Sequence, residues 1–169
     1  KIQFLSILLI ILFSATTDSF ASMLTMQAIL ASKSKIALLA LAATVSMIVG
    51  KMDLNVGFGV VLWHILAITF QVWYDLPWPV ACLAVRVIAA IYGLINGILV
   101  ALADIDSFVA TLGSGTVVYA IALWHSGGRQ IVGNLPDEFL ALHHTDIFGI
   151  PIVAFYVVIV AVIMWIVTE

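Results

Sequence analysis

Gly50-Lys51-Met52-Asp53-Leu54-Asn55-Val56-Gly57-Phe58-Gly59 is a short polar stretch, punctuated by glycines, set between two long hydrophobic runs. Glycine tolerates backbone conformations that other residues resist, and Asp53 and Asn55 are of the types that cap a helix by accepting from its free N–H groups. The pattern predicts a helix break followed by a helix restarting at about Leu54. In water this would be a turn. In a bilayer, freed backbone groups and a Lys/Asp pair are costly unless they face protein, headgroups or a wet cavity, so the break is a candidate pathway element.

Composition supplies the bilayer. Of 169 residues, 64% are hydrophobic and 9% charged, against roughly 25% charged in a soluble domain, and mean hydropathy is +1.26. The expected fold is all-α, a polytopic helical membrane protein surrounded by lipid. A net charge of −3 offers no basic face for nucleic acid. The single Cys82 forms no internal disulfide and sits among apolar helical neighbours, as an inert packed thiol does.

Working outward from the break, Ile2 to Thr16 reads as a first span followed by the polar patch Thr17-Asp18-Ser19. A signal peptide would share these features, but further hydrophobic runs favour a span. Met23 to Ser34, ending in Lys33 and Lys35, reads as an interfacial helix or as the entry to the next span. Ile36 to Val49 is too short to cross alone, so it either starts earlier or is a discontinuous helix ending at Gly50. Leu54 to Tyr74 ends in an aromatic pair, Asp75 to Pro79 is a turn, and Val80 to Ala103 is the best-defined span. Ile150 to Val167 is the last, with Pro151 in its first turn. The count is about six transmembrane segments, with a candidate discontinuous helix at Gly50 to Gly59.

Along Val80 to Ala103, Ala89, Gly93, Gly97 and Ala101 recur every four residues. Small residues at that spacing let another helix approach closely, and packing is the preferred reading of the strip. Asn96 beside them suits a hydrogen bond across a helix interface or a solute path, and Arg86 suits snorkelling to the nearer interface. A second break, Asp104 to Gly115, echoes the first: Asp106 or Ser107 caps the following helix, and Thr111, Gly113 and Ser114 suit close packing or a polar lining. Gln130 to Gly149 reads as a partly ordered external loop. His143-His144 with Asp146 does not make a metal site, because adjacent histidines diverge.

Catalytic signatures are missing from the sequence. Gly50-Lys51 would need Gly at Val45 and Ser or Thr at Met52 to be a phosphate-binding loop, and neither a G-x-S-x-G elbow nor an H-E-x-x-H helix occurs. The expectation is a non-enzymatic transport subunit with no ATPase motif, cofactor or metal. Asp53, Asp104 and Asp106 could form a proton relay in half of an ion-coupled secondary carrier, the alternative class, but their helix-boundary positions favour capping.

Four motifs together resemble a family: Gly50-x-x-Asp53-Leu54-x-Val56-Gly57, Gly93-Leu94-Ile95-Asn96-Gly97-x-Leu99-Val100, Ser107-Phe108-Val109-Ala110-Thr111-Leu112-Gly113, and Gly127-Gly128-Arg129. In order and spacing they are similar to the permease subunit of ribose- and xylose-type sugar ABC importers. The family usually has Gly at Lys51, Ser at Asn55 and Pro at Asp106. The resemblance implies that residues 1–169 are the N-terminal half of one permease transmembrane domain in a bacterial inner membrane. It implies a second permease copy, homo- or heterodimeric, a cytoplasmic ATP-binding subunit, a periplasmic sugar-binding protein, and a pentose or polyol as cargo. It also implies that Lys1 and Glu169 are cytoplasmic and that Gln130 to Gly149 faces the periplasm. On that reading Asn96, Thr111 and Phe108 are the candidate substrate-pathway residues, and Gly50, Asp53, Asn55, Gly57, Gly93, Gly97, Ser107 and Gly113 shape breaks and packing.

Overall fold

The computed structural model describes residues 2–17, 20 and 22–169. The expected polytopic helical architecture is borne out, as α1 (Ile2–Thr16), α2 (Met23–Ile48), α3 (Asn55–Val72), α4 (Trp78–Ala101), α5 (Ser107–Ser126), α6 (Asp137–His144) and α7 (Ile152–Thr168), with a small hairpin of β1 (Asp146–Ile147) and β2 (Ile150–Pro151) before α7. Helices α2 to α5 are each long and apolar enough to cross a membrane, while α1 and α7 are apolar but shorter. At about 1.5 Å per residue the 17 residues of α7 reach about 25 Å, the lower edge of a span. Lys1, Asp18, Ser19 and Ala21, which figured in the reading of the N-terminal segment, lie outside the described residues.

The chain forms two compact units. The first comprises Lys1–Leu38 and Leu142–Glu169. In it, Ser22 caps α2 by accepting from Thr25 N at 3.2 Å. The hairpin pairs Asp146 with Pro151 and Ile147 with Ile150. Its turn residues Phe148 (φ 53°) and Gly149 (φ 79°) are both left-handed, the geometry that suits the right-handed twist of a two-residue hairpin. Gln27 Nε2 donates to Gly149 O at 3.1 Å, anchoring the turn to α2. Pro151 stands at the N-cap of α7, with φ −57° and ψ 134°, rather than in its first turn.

The second unit, Leu39–Ala141, is built on α3, α4 and α5. Helix α5 packs chiefly along α3, and α4 packs on α3. Buried Leu62, Val118 and Ala122 form its apolar core, with Ile65, Leu66, Trp63 and Tyr92 packed around it. The close approach of α3 and α5 requires glycine at 115: a Cβ there would lie 2.6 Å from Asn55 Oδ1 and 2.7 Å from Phe58 Cδ2.

Met23 to Ile48 is one uninterrupted 26-residue helix: of the alternatives left open, Met23 to Ser34 is the entry to the span and not a separate interfacial helix, and the apolar run starts earlier rather than being discontinuous. Its interior lysines stand on a helix of about 39 Å, longer than the hydrocarbon core. Gln130 to Gly149, expected as a partly ordered loop, gains its order in its second half, as α6 and the β1–β2 hairpin. Asp137 and Glu138 open α6 and His143 and His144 close it, an order of charge that suits the helix dipole, and Phe139 packs on Trp78 with ring centroids 6.4 Å apart.

Candidate functional site

Both breaks are sharp because specific residues end and restart the helices. At the C-terminus of α2, Gly50 adopts φ 71°, Gly50 N donates to Met47 O and Lys51 N donates to Ser46 O, each at 3.0 Å. This is a glycine-terminated Schellman-type end. The helix restarts at Asn55, so Gly57 and Gly59 lie inside α3 and the break proper is residues 49–54. Asp53 Oδ1 accepts from Asn55 N at 2.8 Å. At the second break Asp106 is the cap, its Oδ1 accepting from Phe108 N at 3.0 Å and Val109 N at 3.2 Å.

Ser107, the other capping candidate, does something else. Its hydroxyl accepts from Met52 N at 3.1 Å, and one turn later Thr111 Oγ1 accepts from Leu54 N at 3.2 Å while donating to Ser107 O at 2.7 Å. The start of α5 thereby supplies partners for the backbone that the first break frees. A hydroxyl has one donor and two acceptor positions, so Thr111, only 5% exposed, has little capacity left for anything else.

Asn55 is also not a cap. Its side chain is buried, accepts from Tyr92 Oη at 2.5 Å and donates through Nδ2 to Ser114 Oγ at 3.1 Å, joining α3, α4 and α5. Asn55, expected within the break, is the first residue of α3, and its partners lie 37 and 59 positions away in the sequence.

Between the breaks and the three helices lies a cavity of about 740 Å³. Lys51, Asp53, Asp104 and Ser107 line the end at which the breaks meet. On α4 the lining residues are Ala89, Tyr92, Gly93, Asn96, Gly97, Val100 and Ala101, spaced three and four apart and so on a single helix face. On α3 they run from Asn55 through Gly59 to Trp63. The small-residue strip of α4, expected to be a helix contact, faces this space within the unit: a Cβ added at Gly93 or Gly97 meets nothing within 4 Å. Of the pathway candidates, Asn96 and Thr111 are on the wall; Phe108 is not among the lining residues and is 47% exposed. Gly113 also stands in open space and is not on the wall. Trp63 and Tyr92, not among the candidates read from the sequence, meet edge to face with centroids 5.7 Å apart.

The other end of the unit is tied shut. Thr69, fully buried, donates to Ile65 O at 2.8 Å and so is left to accept from His125 Nε2 at 3.1 Å, and Trp73 lies against the His125 ring at 5.2 Å. A Cβ on Gly133 would collide with Val72, so the chain beyond α5 presses closely on α3 here. Among the described residues no group of three or more metal-ligating side chains is assembled.

A protein named autoinducer 2 import system permease protein LsrC, from Salmonella paratyphi B, is 32% identical to the chain over 162 residues. The chain is similar to import permeases. That match covers 95% of this chain and 46% of the relative. The protein of the same name from Escherichia coli strain SMS-3-5 is 30% identical over 165 residues, covering 96% of this chain and 47% of the relative. The chain thus spans about half the length of the curated relatives it matches. It matches no family model and no solved structure. The resemblance carried by the four motifs is borne out at the level of an import permease subunit. The helices above fit a multi-pass helical membrane protein.

Proposed function

We propose that residues 1–169 are the N-terminal half of the transmembrane domain of an ATP-driven ABC importer's permease subunit, and that the cavity between the two breaks is part of its solute path. The observation that carries this is the joining of the two breaks around one polar-mouthed cavity, in a chain similar over 95% of its length to import-system permeases. The cargo is a small hydroxylated solute, a pentose or polyol or the autoinducer 2 of the relatives' name. The working assembly adds a second permease subunit, a cytoplasmic ATP-binding subunit and a periplasmic binding protein. An orientation with Lys51 and Asp104 on the cytoplasmic side follows from the same reading, so the cavity opens inward and the Thr69, Trp73 and His125 end closes the periplasmic side.

Uptake of radiolabelled ribose, xylitol and autoinducer 2 into vesicles carrying the full-length subunit, with and without its ATP-binding partner, tests the proposal. Uptake that requires ATP and the partner supports it. Uptake driven by an imposed proton gradient alone refutes it in favour of an ion-coupled carrier.

A further inference from the structure

The Gly127-Gly128-Arg129 motif turns the chain back over α3. Gly127 (φ 61°) and Gly128 (φ 70°) are consecutive left-handed residues. Gly128 N donates to Leu123 O at 2.9 Å and Arg129 N to Ser126 O at 3.2 Å. A Cβ on either glycine meets nothing within 4 Å, so glycine is needed there for the turn rather than for room. Further on, Gly133 is pressed so closely on Val72 that a Cβ would strike the valine side chain. Residues 129–131 are thus fixed across the end of the unit at which α3 and α5 both finish.

A second cavity, of about 330 Å³, lies against α3 at this crossing and shares no lining residue with the solute path. Its α3 wall is Val60, Val61, His64, Ile65 and Ile68, one face of the helix running about 12 Å along the axis. Arg129, Gln130 and Ile131 complete the lining. Because these three stand between the turn after α5 and the contact with Val72, they lie toward the end of α3, and the wall runs back from them, largely apolar, toward Val60. Val60, His64 and Arg129 are exposed, so the cavity is a groove open along the side of the helix. No carboxylate lines it, which leaves the guanidinium without a counter-ion there.

A cation at the end of an apolar groove that follows a spanning helix has the polarity of a phospholipid, with an acyl chain in the groove and a phosphate at its end. Arginine presents a planar fork that binds phosphate oxygens in pairs, and its aliphatic stem lets the charge reach an interface. A chain lying in the groove supplies the van der Waals contacts that a void lacks. With no carboxylate in the lining, nothing balances the ammonium of a zwitterionic headgroup, and charge complementarity favours a lipid of net negative charge. A small soluble anion would leave the apolar wall unused.

We infer that the groove holds one anionic phospholipid, its phosphate on Arg129 and one acyl chain along Val60 to Ile68. The site does not depend on what the subunit transports.

The test uses the full-length subunit assembled with its partner proteins in vesicles of equal phosphatidylglycerol and phosphatidylethanolamine. The complex is gently solubilised and its retained lipid is counted by native mass spectrometry. The expected result is one phosphatidylglycerol per permease subunit, in excess over phosphatidylethanolamine. Arg129→Gln should lower that retention about tenfold or more, and Arg129→Lys by less, since an ammonium keeps the charge without the fork. Val60→Trp, which fills the groove with bulk, should lower it with the arginine in place, so the site stays testable if Arg129→Gln does not assemble. Arg86→Gln changes a membrane arginine outside the groove and should leave retention as it was. Equal retention of the two lipids, an effect of Arg86→Gln as large as that of Arg129→Gln, or retention indifferent to Arg129→Gln or to Val60→Trp would overturn the site. Full displacement by soluble glycerol 3-phosphate would overturn it by showing a plain anion site, and retention of no lipid would overturn it by showing the groove filled by protein.

Discussion

Gly115→Ala should loosen the junction on which the cavity is built. The added methyl carbon would sit 2.6 Å from Asn55 Oδ1 and 2.7 Å from Phe58 Cδ2, against about 3.5 Å or more for unstrained contact. Both neighbours are held. Asn55 is fixed by Tyr92 and Ser114, and Phe58 packs on Tyr119 with centroids 6.1 Å apart. Relief therefore requires α5 to move from α3, and overpacking of this kind costs about 1–3 kcal/mol. The assay is reversible unfolding of the full-length protein in mixed micelles, followed by a double-mutant cycle with Asn55→Ala. That second change removes the carboxamide oxygen the methyl would strike, so Gly115→Ala should cost less in the Asn55→Ala background, with a coupling of about 0.5–3 kcal/mol. Equal stability of Gly115→Ala and wild type, or strict additivity with Asn55→Ala, would refute the close α3–α5 contact.

Other consequences are as direct. Thr111→Val keeps the shape of the side chain but leaves Leu54 N without its acceptor; a cost of about 1–3 kcal/mol is expected, seen as faster amide exchange at Leu54. Gly50→Ala forces a Cβ into φ 71° and should destabilise the end of α2 by about 1–2 kcal/mol, with the loss read as fraying of its last turn by hydrogen exchange. The pKa of His143 is lowered by burial, then by the charge of Lys35 and of His144. Its neutral form is thus favoured by folding: its contribution is fully present above the unfolded value of 6.5 and is lost as pH falls through that value and then through the folded one. Replacing Lys35 by Met should raise the His143 titration midpoint measured by NMR; an unchanged midpoint would remove the lysine from the account.

How much of this was legible in the sequence depended on how local each determinant is. Gly50 ends α2 and Asp106 caps α5 through contacts within a few residues, so both could be read directly. The length of α2 could not, because Lys33 and Lys35 look like an interfacial boundary unless the helix around them is known to continue. The Gly93 and Gly97 strip was visible as a smooth face, yet what a smooth face meets is set by elements elsewhere in the chain. Ser107 and Thr111 looked like a cap and a lining hydroxyl, and their actual acceptor roles depend on a backbone more than fifty positions away. Trp63 and Tyr92 carried no signal at all, since aromatic residues are common in membrane helices. Among the motifs the whole order of spans and breaks was readable; which of their faces enclose space was not.

The central claim is that solute passes through the cavity between the two breaks under the drive of ATP. It is tested most directly by ATP-driven ribose uptake in vesicles carrying the full-length subunit with Gly97→Phe, where an open-space glycine becomes a plug. Uptake is expected at background while the subunit still co-purifies with its ATP-binding partner. Uptake at the wild-type rate with the bulky side chain in place would contradict it.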